Sequence, residues 1–160
     1  MKNQAFTLIE LLVVILIIGI IAAIAFAQYK KVIFKTKATE MIAIAKNIRE
    51  NQKQYYLVNN QYASNINNLD IEFPSCEWSF TGTSSVGTCP NGLLYVYDTG
   101  MISIYMNYDE NKTPTPLWIN LFSTGREECS DRETTDRCKI LGYKICDKPD
   151  SRNIYRCYNS

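Results

Sequence analysis

Glu10 is the residue that asks most of its surroundings. It is the only charged residue in FTLIELLVVILIIGIIAAIAFAQ, which runs from Phe6 to Gln28. A carboxylate in hydrocarbon costs several kcal/mol, so one placed there is expected to meet a cation or take part in a reaction. The other reactive side chains are six cysteines, at 76, 89, 129, 138, 146 and 157, all well beyond the apolar run. No two have CxxC spacing, which argues against zinc ribbons and thioredoxin-like redox chemistry. An even number, all beyond an apolar segment, reads as disulfides in an oxidising compartment, with zinc ligation as the alternative. Histidine is absent, which excludes Ser-His and Cys-His catalysis and histidine-ligated metals. Asp109 and Glu110 are adjacent carboxylates, but neighbours on one strand face opposite ways and make a poor acid/base pair. The stretch from Asp109 to Asn111 also lacks the spacing of a calcium loop. No catalytic residue, cofactor or metal is therefore expected, and the chain reads as a non-enzyme.

The element that holds Glu10 is a long apolar helix. Nineteen uncharged residues separate Glu10 from Lys30, about 28 Å of helix, close to the hydrocarbon thickness of a bilayer. A cleaved secretory signal peptide is the rival reading, with Lys2 as its basic end and Ala25-Phe26-Ala27 as its cleavage site. The length of the run, Glu10 within it, and helical periodicity that continues past the cut weigh against that reading. Lys30, Lys31, Lys35 and Lys37 follow the span. By the positive-inside rule they would put the C-terminal part in the cytoplasm. The cysteines put it outside and decide the assignment, because six thiols in a reducing compartment would lack an explanation.

The first 30 residues resemble the N-terminus of type IV pilins and the related type II secretion pseudopilins. Met1-Lys2-Asn3-Gln4-Ala5 matches their short basic leader, and Phe6-Thr7-Leu8-Ile9-Glu10 opens their apolar helix. Gly19 falls where the family commonly has glycine. Ala5 stands where the family usually has glycine, and Ala27 where many members have a kinking proline. The resemblance implies that a prepilin peptidase cuts between Ala5 and Phe6 and methylates the new Phe6 amine. It also implies that Glu10, one helical turn on, pairs with the Phe6 amine of a neighbouring subunit. Such a pair would fix the register between packed apolar helices.

After Lys31, apolar residues recur at helical steps: Phe34, Ala38, Met41, Ile42, Ala45, Ile48, Gln52 and Tyr55. The helix should reach about residue 58, a rod of roughly 80 Å from Phe6, with a break near Gly19 or residue 28 left open. Asn59 to Ser75 reads as a loop, and Tyr55, Tyr56 and Tyr62 as packing residues. Cys76 to Phe80, Leu93 to Tyr97, Met101 to Tyr108 and Leu117 to Phe122 carry strand signals, with Asp98-Thr99-Gly100 as a hairpin turn. Gly82 to Gly87 reads as a turn region, Thr134 to Leu141 as a short helix, and Ile154 to Tyr158 as a weak terminal strand. The predicted fold is α+β: a long helix, half transmembrane and half amphipathic, on an antiparallel sheet of about four strands. Cys76 and Cys89 should staple the first strand region. Neighbour pairing of Cys129 with Cys138 and of Cys146 with Cys157 should hold a C-terminal region too poor in apolar residues to do so itself. Its charges (Arg126, Glu127, Glu128, Asp131, Arg132, Glu133, Asp136 and Arg137) are expected on a solvated face.

The expected organisation is a leader (1–5), a transmembrane and assembly half-helix (6–28), an amphipathic half-helix (29–58) and a globular head (59–160). The resemblance implies a structural subunit of an extracellular type IV pilus, held in the inner membrane with its head outside the cytoplasm until assembly. Its implied partners are copies of itself, the prepilin peptidase, the assembly platform and the assembly ATPase. A type II secretion pseudopilin is the alternative, and an unassembled membrane-anchored binding module a third. The six cysteines and the sizeable C-terminal segment lean toward the pilus. A net charge of +1 leaves no electrostatic footprint for nucleic acid.

Overall fold

The computed structural model describes residues 7–106, 117–132 and 134–159. Asp109, Glu110 and Asn111 lie outside them, as do Ala5, Phe6 and Glu133. The chain divides into two compact units, Met1–Phe34 and Lys35–Ser160. Helix α1, Leu8–Asn59, runs through 52 residues without interruption. It passes Gly19 and residue 28 unbroken, which settles the question left open at both places. No proline precedes Pro74, so the helix keeps its hydrogen-bond ladder. It ends where Asn60 takes a left-handed conformation at φ 54°, which asparagine tolerates better than most residues.

Among its described residues the second unit contains one antiparallel sheet of eight strands, in spatial order β1-β2-β3-β4-β5-β6-β8-β7. These are β1 Glu77–Phe80, β2 Ser84–Cys89, β3 Gly92–Tyr97 and β4 Ile102–Met106. They continue as β5 Leu117–Leu121, β6 Glu127–Asp131, β7 Ile145–Cys146 and β8 Tyr155–Tyr158. The expectation of about four strands is therefore too low. β2 (SSVGTC) has the composition of a turn, and β6 (EECSD) has the charge of a loop. Pairing decides both. β2 is held on two sides by β1 and β3, and β6 by β5 and β8, and in such central positions context overrides propensity.

Alternation along the central strands puts Leu94 and Val96, then Ile102, Ile104 and Met106, then Leu117, Ile119 and Leu121 on one buried face. Register lines them into rows, such as Leu94 opposite Ile104 and Ile104 opposite Ile119. Ala38, Met41, Ala45, Ile48 and Gln52 of the helix are equally buried, at steps of three and four. Together they form the core of this unit. Ile42 and Tyr55, expected in the stripe, are only half buried. In β2, Gly87 sits under Trp78, whose ring lies 2.8 Å from where a Cβ would be.

The loop after α1 is fixed by two polar clasps. Gln52 is 1% exposed. Its Nε2 donates to the Ala63 carbonyl at 2.7 Å, and its Oε1 accepts the Ala63 N–H at 2.8 Å. Ser85 Oγ accepts from the Ile66 N–H at 2.8 Å and donates to the Ser64 carbonyl at 3.1 Å. Both clasps satisfy backbone groups that would otherwise be buried unpaired. Tyr56 stacks on Tyr62 with ring centroids 4.6 Å apart.

The C-terminal region is held covalently and by charge. Disulfides join Cys76 to Cys89, Cys129 to Cys138, and Cys146 to Cys157. All six cysteines are thus bridged, which removes the zinc-thiolate reading. Cys129–Cys138 ties the short helix α2, Asp136–Ile140, to β6. Beside it Arg137 makes a bidentate pair with the fully buried Asp131, Nε donating to Oδ2 at 2.7 Å and Nη2 to Oδ1. Glu127 Oε1 receives both Arg49 Nη1 and Lys46 Nζ, each at 3.2 Å. The expected solvated face therefore fails for Glu127, Asp131 and Arg137, which are interior charges with partners. Tyr143 lies close by and is 3% exposed. Burial pushes its phenol well above the usual range, and the Glu127 carboxylate adds to the effect.

Candidate assembly segment

The first half of α1 is apolar on every side. From Leu8 to Phe26 its large side chains are all exposed, for example Leu8 at 86%, Ile15 at 61% and Ile24 at 65%. This differs in kind from the narrow stripe that the same helix buries in the second unit. A helix that is apolar all round belongs in a membrane or a large core. The segment is long and apolar enough to cross a membrane. Fourteen large apolar side chains are uncovered from Leu8 to Phe26. Covering them is worth on the order of 10–20 kcal/mol, so lipid or neighbouring protein must enclose them.

Glu10 is not alone at the start of this helix. Its Oε2 accepts the Thr7 backbone N–H at 2.8 Å and the Thr7 hydroxyl at 2.7 Å. In return Thr7 Oγ1 accepts the Glu10 N–H at 3.4 Å. Thr7 precedes the first helical residue, so the pair is a reciprocal capping box. It satisfies donors that the first turn of any helix leaves open. It also offsets part of the cost of a carboxylate in apolar surroundings. The signal lies in the sequence as Thr7-x-x-Glu10 before an apolar run.

At the far end Lys30 Nζ lies 4.9 Å from the centre of the Phe26 ring, a cation–π contact at the edge of the apolar run. A Cβ added at Gly19 would meet nothing within 4 Å, so no contact inside the chain requires glycine there. Among the described residues no cluster of three His, Cys, Asp or Glu side chains is arranged to hold a metal.

Residues 1–26 match the family model of the prokaryotic N-terminal methylation motif. The chain is 37% identical over 63 residues to a fimbrial protein of Neisseria meningitidis serogroup A, covering 39% of this chain and 37% of that protein. It is 32% identical over 72 residues to the type IV major pilin protein PilE1 of Neisseria gonorrhoeae, covering 45% of this chain and 44% of that one. A fimbrial protein of Neisseria meningitidis serogroup B is 36% identical over 63 residues, which are 39% of this chain and 37% of that protein. The chain thus aligns with less than half the length of these relatives. No solved structure matches it.

Proposed function

We propose that this chain is a structural subunit of an extracellular filament of the type IV pilus kind, without catalytic activity of its own. The observation that carries the reading is the helix from Leu8 to Phe26, apolar on all sides, opening on a capped carboxylate within a match to a methylation motif. The similarity to fimbrial and major pilin proteins favours a pilus over a secretion pseudopilus.

In this reading the chain is inserted in the inner membrane with its disulfide-bonded unit outside the cytoplasm. A prepilin peptidase cuts between Ala5 and Phe6 and methylates the Phe6 amine. An assembly platform driven by an ATPase then moves the apolar segment from lipid into a bundle of like helices. Burial against neighbours replaces burial in acyl chains. Because apolar contact alone fixes register poorly, a polar group must select it. Glu10 meets the cationic Phe6 amine of the neighbouring subunit, and only one stagger brings the two together. The capping box survives processing, because the Thr7 N–H is still a peptide N–H once Phe6 is the first residue.

Mass spectrometry of the subunit from sheared cell-surface filaments tests this. The expected N-terminus is Phe6 carrying one added methyl group. A chain beginning at Gln28, or absent from surface filaments altogether, would defeat the proposal.

A further inference from the structure

The two edges of the sheet carry opposite charge. No lysine or arginine occurs between Lys53 and Lys112. Within that stretch Asp70, Glu72 and Glu77 are exposed on and before the edge strand β1. At the other edge Lys144 and Lys148 flank β7, with Lys139 on α2 and Arg152 in the β7–β8 connection, all four exposed. Among the described residues none of Asp70, Glu72, Glu77, Lys139, Lys144 or Lys148 has an ion-pair partner. This edge also carries Asp136, Asp147 and Asp150. Asp150 is paired with Arg152 and Arg156, and Asp147 keeps its charge while accepting from the neutral Tyr158 hydroxyl. With Arg156 the edge therefore holds five cations against three acids and is net basic. Each edge also presents one exposed apolar side chain, Phe80 at 48% on β1 and Ile145 at 43% on β7.

From these observations we infer that the acidic β1 edge of one copy docks on the basic β7 edge of the next. Seven strand spacings separate the two edges, roughly 34 Å, so a copy cannot satisfy its own charges. A two-fold contact would set acid against acid or base against base, which is repulsive. Only the unlike edges attract, and such a head-to-tail contact propagates unless its rotation closes a ring. Phe80 and Ile145 supply apolar contact inside a charged rim, the usual anatomy of a protein interface. Single exposed ion pairs are weak, so the edge contact orders and spaces heads that the helices already hold together. This inference rests on the filament reading and adds the surface through which the heads meet.

Charge reversal in the full-length chain tests it, with sheared filament yield as the readout. Glu72→Lys with Glu77→Lys makes both edges basic, and Lys144→Glu with Lys148→Glu makes both acidic. Each variant alone is expected to lower yield about tenfold or more, because repulsion replaces attraction at every contact. Producing the two variants together in one cell should restore it, and so should all four reversals in one chain. Electrophoretic mobility without reductant confirms that each variant keeps its three disulfides in the membrane fraction. Wild-type yield from each variant alone, or no recovery in either combination, overturns the edge contact while leaving the filament reading intact. Absence of filaments from the wild-type chain defeats the filament reading itself.

Discussion

Gln52→Leu isolates one clasp on which the second unit depends. Gln52 and Ala63 are 1% and 2% exposed, and the side-chain amide satisfies both the N–H and the C=O of Ala63. Leucine fills similar space but leaves two backbone groups buried without partners. Each such group costs about 1–3 kcal/mol. Apolar burial of the leucine offsets roughly 1–2 kcal/mol of that, so the net loss is about 2–4 kcal/mol. For a unit of this size, that corresponds to a fall in Tm of roughly 6–20 °C. The assay is thermal unfolding of the full-length chain in detergent, followed by near-ultraviolet circular dichroism, which reads the packed tyrosines rather than the micelle-held helix. Gln52→Glu sharpens the test. Its carboxylate can accept from the Ala63 N–H but cannot donate to the carbonyl, whereas the protonated acid does both. Its folded pKa is therefore raised above the unfolded value of about 4.3. The variant should approach wild type as pH falls below that value and lose stability as pH rises through the folded pKa. A Gln52→Leu variant within about 2 °C of wild type would refute the assignment of this clasp as a main support of the loop.

Other substitutions probe different parts of the chain. Glu10→Val removes the capping carboxylate and, with it, the charge proposed to set register, and filament yield should fall at least about tenfold while membrane insertion improves. Thr7→Val removes the hydroxyl and leaves the carboxylate, so it should weaken the first turn by about 0.5–2 kcal/mol yet leave assembly far less impaired than Glu10→Val. Gly100→Ala should destabilise the second unit by about 1–3 kcal/mol in a denaturant titration. Its φ is +76°, and a Cβ there would fall 2.8 Å from the Tyr62 ring. The Asp150 carboxyl is held below the usual range, first by the Ile154 N–H and then by Arg152. Its contribution is fully present above the unfolded value of about 3.9 and is lost as pH falls through the lower folded one. Amide exchange of the Arg152 and Ile154 N–H groups, which Asp150 accepts from, should be faster in Asp150→Asn than in wild type at neutral pH, and the difference should vanish when both are measured below the folded pKa.

How far the sequence announced this fold depended on which physical cause set each element. The apolar run and the 34–52 stripe were legible, because a single period governs side-chain burial along a helix. Leu93–Tyr97 and Leu117–Leu121 were legible because alternation of apolar and polar residues matches their half-buried faces. β2 and β6 were not, because their strand character comes from neighbours far off in sequence. Ser85 is buried for its two hydrogen bonds to the loop, and Asp131 for its pair with Arg137. Neither purpose shows in a hydropathy pattern. At the assembly segment the charge of Glu10 stood out, and its partner Thr7 did not.

That partner changes the argument about register. If Glu10 were a lone carboxylate, the several kcal/mol it costs in hydrocarbon would drive pairing by itself. With two donors from Thr7 already on one oxygen, part of that cost is offset inside each subunit before any neighbour arrives. The driving force for meeting a second subunit's amine is then the remainder, carried by the charge and by the other carboxylate oxygen. A smaller drive has a use. A subunit whose carboxylate was wholly unsatisfied would be expelled from lipid or would seize any cation within reach. One whose carboxylate was fully satisfied would have no reason to choose a register. In the proposed filament, the capping box would leave Glu10 between these limits, tolerable in a bilayer for as long as the subunit waits and better placed against a neighbour's amine. The exposed apolar surface from Leu8 to Phe26 is comparably satisfied by acyl chains and by other helices. In the proposed filament, the choice of one register would therefore rest on the polar first turn rather than on the much larger apolar area behind it.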